Sequence, residues 1–75
     1  MINQLLEFEG YRATIQRGTD GMLYGKVLGL TEVVNFKAAT MRVAERQFIR
    51  ALEAYFERCL QRGVEPEKPP ATMGF

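Results

Sequence analysis

Apolar and polar residues alternate along the first half of the chain, as they do in half-buried strands. Tyr11, Ala13 and Ile15 alternate with polar side chains, and the pair Asp20-Gly21, set between two apolar runs, is typical of a β-hairpin turn. The connections between the apolar runs are short, so we expect antiparallel pairing, because parallel pairing needs a long crossover. The pattern predicts three strands, at residues 11–16, 22–30 and 33–36.

The second half of the chain has helical periodicity. Apolar residues recur at spacings of three and four, which predicts one long amphipathic helix from about Met41 to Arg62. Thr40 is a favourable N-cap, while Gly63 and Pro66 favour an end to the helix. We therefore expect an α+β domain of the order β-β-β-α, with room for a further short strand after the helix. The apolar face consists of Met41, Ala44, Phe48, Leu52, Tyr55 and Cys59, widened by Ile49, Phe56 and Leu60.

Length limits the organisation of the protein. The chain has 75 residues, of which 47% are apolar, so it is predicted to form one domain over residues 1–75, with residues 64–75 as an extended, proline-rich tail. A domain this small is marginally stable alone. With one cysteine and no evident metal ligands, we expect it to self-associate as a dimer or tetramer. Surplus apolar surface near the end of the helix predicts the interface, at Tyr55, Phe56, Cys59 and Leu60.

Charge and residue types limit the chemistry. The net charge is +1 and there is no histidine, which excludes most hydrolase triads and most zinc sites. Cys59 has no histidine to activate it and no second cysteine to resolve it, so we expect it to be a small buried residue. We predict no enzymatic activity, no cofactor and no catalytic or metal-binding residue. The lone cysteine and the lack of a long apolar run predict a cytoplasmic protein without membrane contact.

Three arginines form the main candidate contact surface. Arg42, Arg46 and Arg50 are four residues apart and share one face of the predicted helix. Like charges at this spacing repel, and cations near a helix N-terminus oppose the helix dipole. The functional interpretation is a basic ridge for a phosphate backbone or an acidic partner, with Lys26 as a further candidate contact. The alternative, an ordinary solvated surface, is the commoner case for surface charge.

Nearly the whole chain, from about Leu5 to Phe75, carries short segments in a recognisable order. The segments are Gly10-Tyr11-Arg12-Ala13, Asp20-Gly21, Tyr24-Gly25-Lys26-Val27-Leu28-Gly29-Leu30, Val34-Asn35-Phe36, then Phe48, Ala51, Tyr55, Cys59 and Gly63, and finally Pro66-Glu67-Lys68-Pro69. The order along the chain is strands with a hairpin, then a helix from Thr40, and then the segment Pro-Glu-Lys-Pro. In this order and spacing, the chain resembles the N-terminal domain of HicB-type antitoxins.

The resemblance implies a β-β-β-α domain that binds and masks HicA, a small RNA-cleaving toxin. Family members usually continue into a C-terminal DNA-binding module, which the 75-residue sequence does not include. Its near-neutral charge also differs from the acidic surface that favours masking of a basic toxin. The first hypothesis is therefore a non-catalytic, HicB-like protein-binding domain with a HicA-like toxin as partner. The alternative is an orphan oligomer, either structural or binding nucleic acid through the arginine face of the helix.

Overall fold

A computed structural model describes residues 4–67 of the chain. Within them, an antiparallel sheet is followed by one long helix, so the predicted α+β class is confirmed. The elements are β1 (Gln4–Phe8), β2 (Tyr11–Arg17), β3 (Leu23–Val27), β4 (Asn35–Ala38) and α1 (Met41–Arg62).

The strands form one sheet in the order β1-β2-β3-β4, and every neighbouring pair is antiparallel. The sequence pattern predicts three strands, and the structure adds β1 in front of them. Two adjacent leucines obscure the alternation of β1: Leu6 and Phe8 pack against the core, while Leu5 is exposed. Glu9 and Gly10, with φ angles of 54° and 84°, make the two-residue turn that pairs β1 with β2.

β3 and β4 differ in extent from the predicted strands. β3 ends at Val27, and the chain bends soon afterwards, where Gly29 has a φ of 80°. β4 begins at Asn35, two residues later than predicted, and extends past the predicted end. Residues 64–67 have no regular secondary structure. The rest of the predicted tail at 64–75, where a further strand was allowed for, lies outside the described residues.

The bounds of α1 match those that its caps predict. The Thr40 hydroxyl accepts a hydrogen bond from the Val43 amide at 3.2 Å. Gly63 ends the helix in the left-handed region, with a φ of 72°. Its amide donates to the carbonyl of Leu60 at 3.1 Å. These bonds satisfy main-chain groups that the ends of a helix leave unpaired.

The helix covers one face of the sheet, and the core lies between these two layers. Phe36 of β4 and Phe48 of α1 stack with their ring centroids 5.7 Å apart. The side chains on the other sheet face are mostly exposed, so buried and exposed residues alternate along β2 and β3 because only one face is covered. The buried apolar residues are Tyr11, Ala13, Ile15, Leu23, Val27, Val34, Phe36, Ala38, Ala44, Phe48, Leu52, Tyr55 and Cys59.

Gly25 of β3 allows a close contact inside this core. It pairs with Phe36 across the strands, and a Cβ atom at residue 25 would lie 2.1 Å from Cζ of the Phe36 ring. Phe36 in turn is stacked on Phe48, so the ring cannot move away without disturbing the layer contact. Packing, and not an unusual backbone conformation, is therefore what requires glycine at this position.

We expect Gly25→Ala to lower the free energy of unfolding by about 1–3 kcal/mol, because the added methyl group displaces the Phe36 ring. Denaturant unfolding followed by circular dichroism measures the change. Phe36→Leu makes room at this point, so Gly25→Ala should be less destabilising in the Phe36→Leu background than in the natural chain. An unchanged unfolding midpoint for Gly25→Ala alone would contradict this account of the packing.

Candidate protein-binding edge

The two outer strands of the sheet differ in how well they are protected. β4 has only four residues, carries Lys37 and packs against α1. β1 contains neither proline nor lysine, and within residues 4–67 no strand pairs with its outer side. Natural sheets usually protect an edge by short length, lysine, proline or a covering element. Among residues 4–67, β1 is therefore the edge that lacks such protection.

The free main-chain groups of β1 belong to Leu5 and Glu7. Arg12 of β2 accepts a hydrogen bond from the Leu28 amide at 2.8 Å, so the main chain of Arg12 faces β3. Glu7 lies opposite Arg12, which makes this a non-hydrogen-bonded pair with the amide and carbonyl of Glu7 directed away from β2. Leu5, two residues earlier, shares that orientation. The main chain of Leu6, between them, faces β2.

A groove of about 420 Å³, lined by both apolar and polar surface, lies beside β1, between this strand and the first half of α1. Leu6 and Phe8 line the groove from the strand, and Phe48 and Ile49 line it from the helix. On the opposite face of the sheet, Leu5 is 59% exposed. Apolar surface therefore lies on both sides of the free main-chain groups.

Carboxylates border the same region. Glu45 lines the groove from α1, Glu7 lies on β1, and Glu9 follows in the turn, and all three are exposed. In the described part of the chain, none of these carboxylates forms a salt bridge within 4 Å, although Arg12 of β2 lies opposite Glu7 in the strand pairing. We call β1, the groove and Glu7, Glu9 and Glu45 together the β1 edge. It combines hydrogen-bonding main chain, apolar surface and negative charge.

The residues that the sequence predicts as an oligomer interface do not form one surface. Tyr55 and Cys59 are buried in the core, at 3% and 1% exposure. Phe56 is half-buried, and its ring centroid lies 5.5 Å from that of Tyr11. Leu60 alone is well exposed, at 77%. The apolar face of the helix is wide because the sheet covers most of it.

The predicted basic contacts lie on opposite sides of the molecule. Arg42, Arg46 and Arg50 are exposed on the outer face of α1, away from the sheet, and none lies within 4 Å of a carboxylate among the described residues. Lys26 is exposed on the uncovered face of the sheet, beside Asn35 of β4. The arginines therefore form a continuous ridge, but Lys26 does not extend it.

Between residues 4 and 67, no three cysteine, aspartate or glutamate side chains are close enough together to hold a metal ion. Cys59 is buried. In the same part of the chain, no helix has the length and apolar character to cross a membrane.

No family model, curated protein or solved structure matches the chain.

Glu67 ties the segment after the helix to the body of the domain. Its amide donates to the Tyr55 hydroxyl at 2.8 Å, and its carbonyl accepts from the Tyr11 hydroxyl at 2.6 Å. Its side-chain Oε1 accepts from the Thr31 amide at 2.8 Å. Burial raises the pKa of both tyrosines, which keeps the Tyr11 hydroxyl protonated as the donor of its bond. We call these three hydrogen bonds the Glu67 clamp.

The Glu67 clamp and the β1 edge are not predicted from the sequence pattern, although two features of the sequence point toward them. A buried tyrosine needs a partner for its hydroxyl, and Tyr11 and Tyr55 both lie on predicted apolar faces. The run before Glu9 and Gly10 contains Leu6 and Phe8 at strand spacing. Neither signal says which distant residue completes the contact.

The Glu67 clamp predicts a pH-dependent part of the stability. The hydrogen bond from the Thr31 amide lowers the pKa of Glu67 below its ordinary value of 4.5. A lowered pKa stabilises the fold above the unfolded-state pKa, and this contribution disappears as the pH falls through the folded-state pKa. We therefore expect Glu67→Gln to lower the unfolding free energy at pH 7 and to have a smaller effect below about pH 4.

Urea unfolding of both proteins between pH 3 and pH 7 measures this dependence. Glu65→Gln is the matched control, because Glu65 is an exposed carboxylate in the same segment. The difference in unfolding free energy between Glu65→Gln and the natural chain should not decrease as the pH falls. A Glu67→Gln effect that is constant across the range would show that the carboxylate charge does not contribute.

Proposed function

We propose that the chain is a non-catalytic protein-binding domain of the HicB antitoxin type, which binds and masks a small RNA-cleaving toxin in the cytoplasm. The observation that carries this proposal is the β1 edge, where an edge strand that is unpaired among the described residues adjoins a groove with apolar side chains and carboxylates. Free main chain beside a groove of this kind is typical of a surface that binds another protein by strand addition.

The charge of the β1 edge supports a basic partner. An RNA-cleaving toxin has to bind phosphates, and such a surface is rich in lysine and arginine. Glu7 and Glu45 both line the groove, and Glu9 follows β1 in the turn, although the chain as a whole has a net charge of +1. Complementary charge speeds encounter and fixes the orientation of the complex. Masking then needs no chemistry, because the bound domain sterically blocks the RNA-binding surface of the toxin.

The test uses the small, basic, histidine-containing product that the proposal expects from the adjacent reading frame. We expect the full chain to form a stoichiometric complex with this protein and to stop its cleavage of RNA. Glu45→Lys should weaken the complex about tenfold, because it places like charge at the groove. Calorimetry measures the affinity, and gel analysis of a labelled RNA measures the cleavage.

Glu57→Lys is the matched control, because Glu57 is exposed on the same helix but does not line the groove. It should leave the affinity nearly unchanged. RNA cleavage that continues at saturating concentrations of the chain would overturn the proposed function. Equal weakening by Glu45→Lys and Glu57→Lys would show that overall charge, and not the groove, controls the interaction.

Self-association as a dimer or tetramer is proposed as a property of the same domain. Leu60 and Val64 expose apolar surface at the end of α1, at 77% and 51%. Exposed apolar side chains that lie close together favour association. A single mass of 8.6 kDa at micromolar concentration in sedimentation measurements would contradict it.

The arginine ridge supports a second candidate function, binding of single-stranded RNA. The specific observation is that Arg42, Arg46 and Arg50 are exposed in a row without a carboxylate within 4 Å in the described residues. Each guanidinium is then available to a phosphate. On this alternative, dimerisation would double the ridge and the chain would act without a toxin.

For the second candidate, we expect RNA affinity to fall steeply as salt rises, because phosphate contacts release counterions. Replacing the three arginines with glutamine should reduce the slope of log affinity against log salt by about 2. Lys26→Gln, on the opposite face, is the control and should leave the slope unchanged. A slope that does not respond to the triple replacement would rule out the ridge as an RNA site.

A further inference from the structure

We propose that the partner binds the β1 edge by adding a strand, so that an extended basic segment of it becomes a fifth strand beside β1. This inference rests on the proposed function and specifies how the binding occurs. The partner segment is defined by its chemistry: apolar side chains at alternate positions, with lysine or arginine between or beside them.

The main chain of β1 supplies the hydrogen bonds for this strand. The amides and carbonyls of Leu5 and Glu7 point away from β2, because the Arg12 main chain opposite Glu7 is directed to β3. Two residues in this orientation provide two donors and two acceptors on one side of the sheet. An added strand would satisfy all four, as in other complexes formed by strand addition.

The side chains of β1 supply apolar surface on both sides of that strand. Toward the helix, the groove lined by Leu6, Phe8 and Ile49 would receive alternate apolar residues of the partner. Toward the uncovered face, Leu5 is 59% exposed and would be covered by the intervening residues. Alternation of side chains along a strand therefore matches the two-sided apolar surface.

The properties of the two outer strands favour β1 over β4 as the site where a partner strand is added. β4 is a four-residue strand with Lys37 pointing to the uncovered face, beside Tyr24. A lysine near an edge and a short strand both oppose strand addition. β1 carries one glutamate, Glu7, and Glu45 lines the groove beside it, so this edge opposes an acidic segment and attracts a basic one.

Charge favours a basic partner over a second copy of this chain. A second copy could pair its β1 with the first through the outward groups of Leu5 and Glu7, in antiparallel register about Leu6. That arrangement brings Glu7, Glu9 and Glu45 of both copies to the same edge, and like charges at close range are unfavourable. A segment rich in lysine or arginine places opposite charge there.

The experiment removes one outward amide while the strand stays in the sheet. Proline is tolerated in an edge strand where the missing amide faces solvent, so Glu7→Pro removes a donor to the partner and not a bond to β2. Glu7→Gln is the matched control, since it also lacks the charge but keeps the amide. Circular dichroism and unfolding midpoints establish that both variants are folded.

We expect Glu7→Pro to bind the purified RNA-cleaving partner at least tenfold more weakly than Glu7→Gln does. Leu5→Pro compared with Leu5→Ala should give the same result, which covers the case in which one proline variant fails to fold. Amide hydrogen exchange gives an independent readout: the Leu5 and Glu7 amides should become protected in the complex. The Leu6 and Phe8 amides should be protected already in the free chain.

The outcomes separate the inference from the proposed function. Tight partner binding that is equal in the proline variants and their controls would overturn strand addition and leave the proposed function standing. No binding by the natural chain would overturn both. A dimer of this chain that Glu7→Pro dissolves would assign the β1 edge to a second copy and overturn the inference.

Discussion

The structure depends on the covering of a four-stranded sheet by a single helix. Neighbouring strands lie about 4.8 Å apart, so the axes of β1 and β4 are separated by roughly 14 Å, while a helix with its side chains is about 10 Å wide. α1 packs mainly on β4, where Phe48 stacks on Phe36. Its opposite flank therefore leaves a groove along β1. The surface on which the proposed function rests is thus a consequence of this mismatch in width.

The position of the helix is set by contacts that tolerate little change. Phe36 lies over Gly25 on one side and against Phe48 on the other, so it fixes the helix over the β3–β4 half of the sheet. At the other end, the Glu67 clamp holds the segment after the helix to Tyr11 and Tyr55. Tyr11 pairs with Phe8, which lines the groove, so the Glu67 clamp holds the strand that pairs with β1.

Charge is distributed unevenly over this framework, although the chain is almost neutral. The arginine ridge lies on the outer face of α1, and Lys26 and Lys37 lie on the uncovered face of the sheet. The carboxylates Glu7 and Glu45 border the edge between these two faces. Net charge consequently does not describe the charge of any one surface. The proposed masking of a basic toxin therefore rests on the charge of the β1 edge and not on that of the whole chain.

The sequence by itself determined the elements whose signals are local. Alternation in β2, the hairpin at Asp20-Gly21 and the bounds of α1 with its caps all depend on residues a few positions apart. Only the tertiary structure decided which apolar surface is covered: Tyr55 and Cys59 are in the core, β1 joins the sheet, and Glu67 reaches back to Thr31. Periodicity shows which side chains share a face, whereas burial depends on what packs against that face from far along the chain.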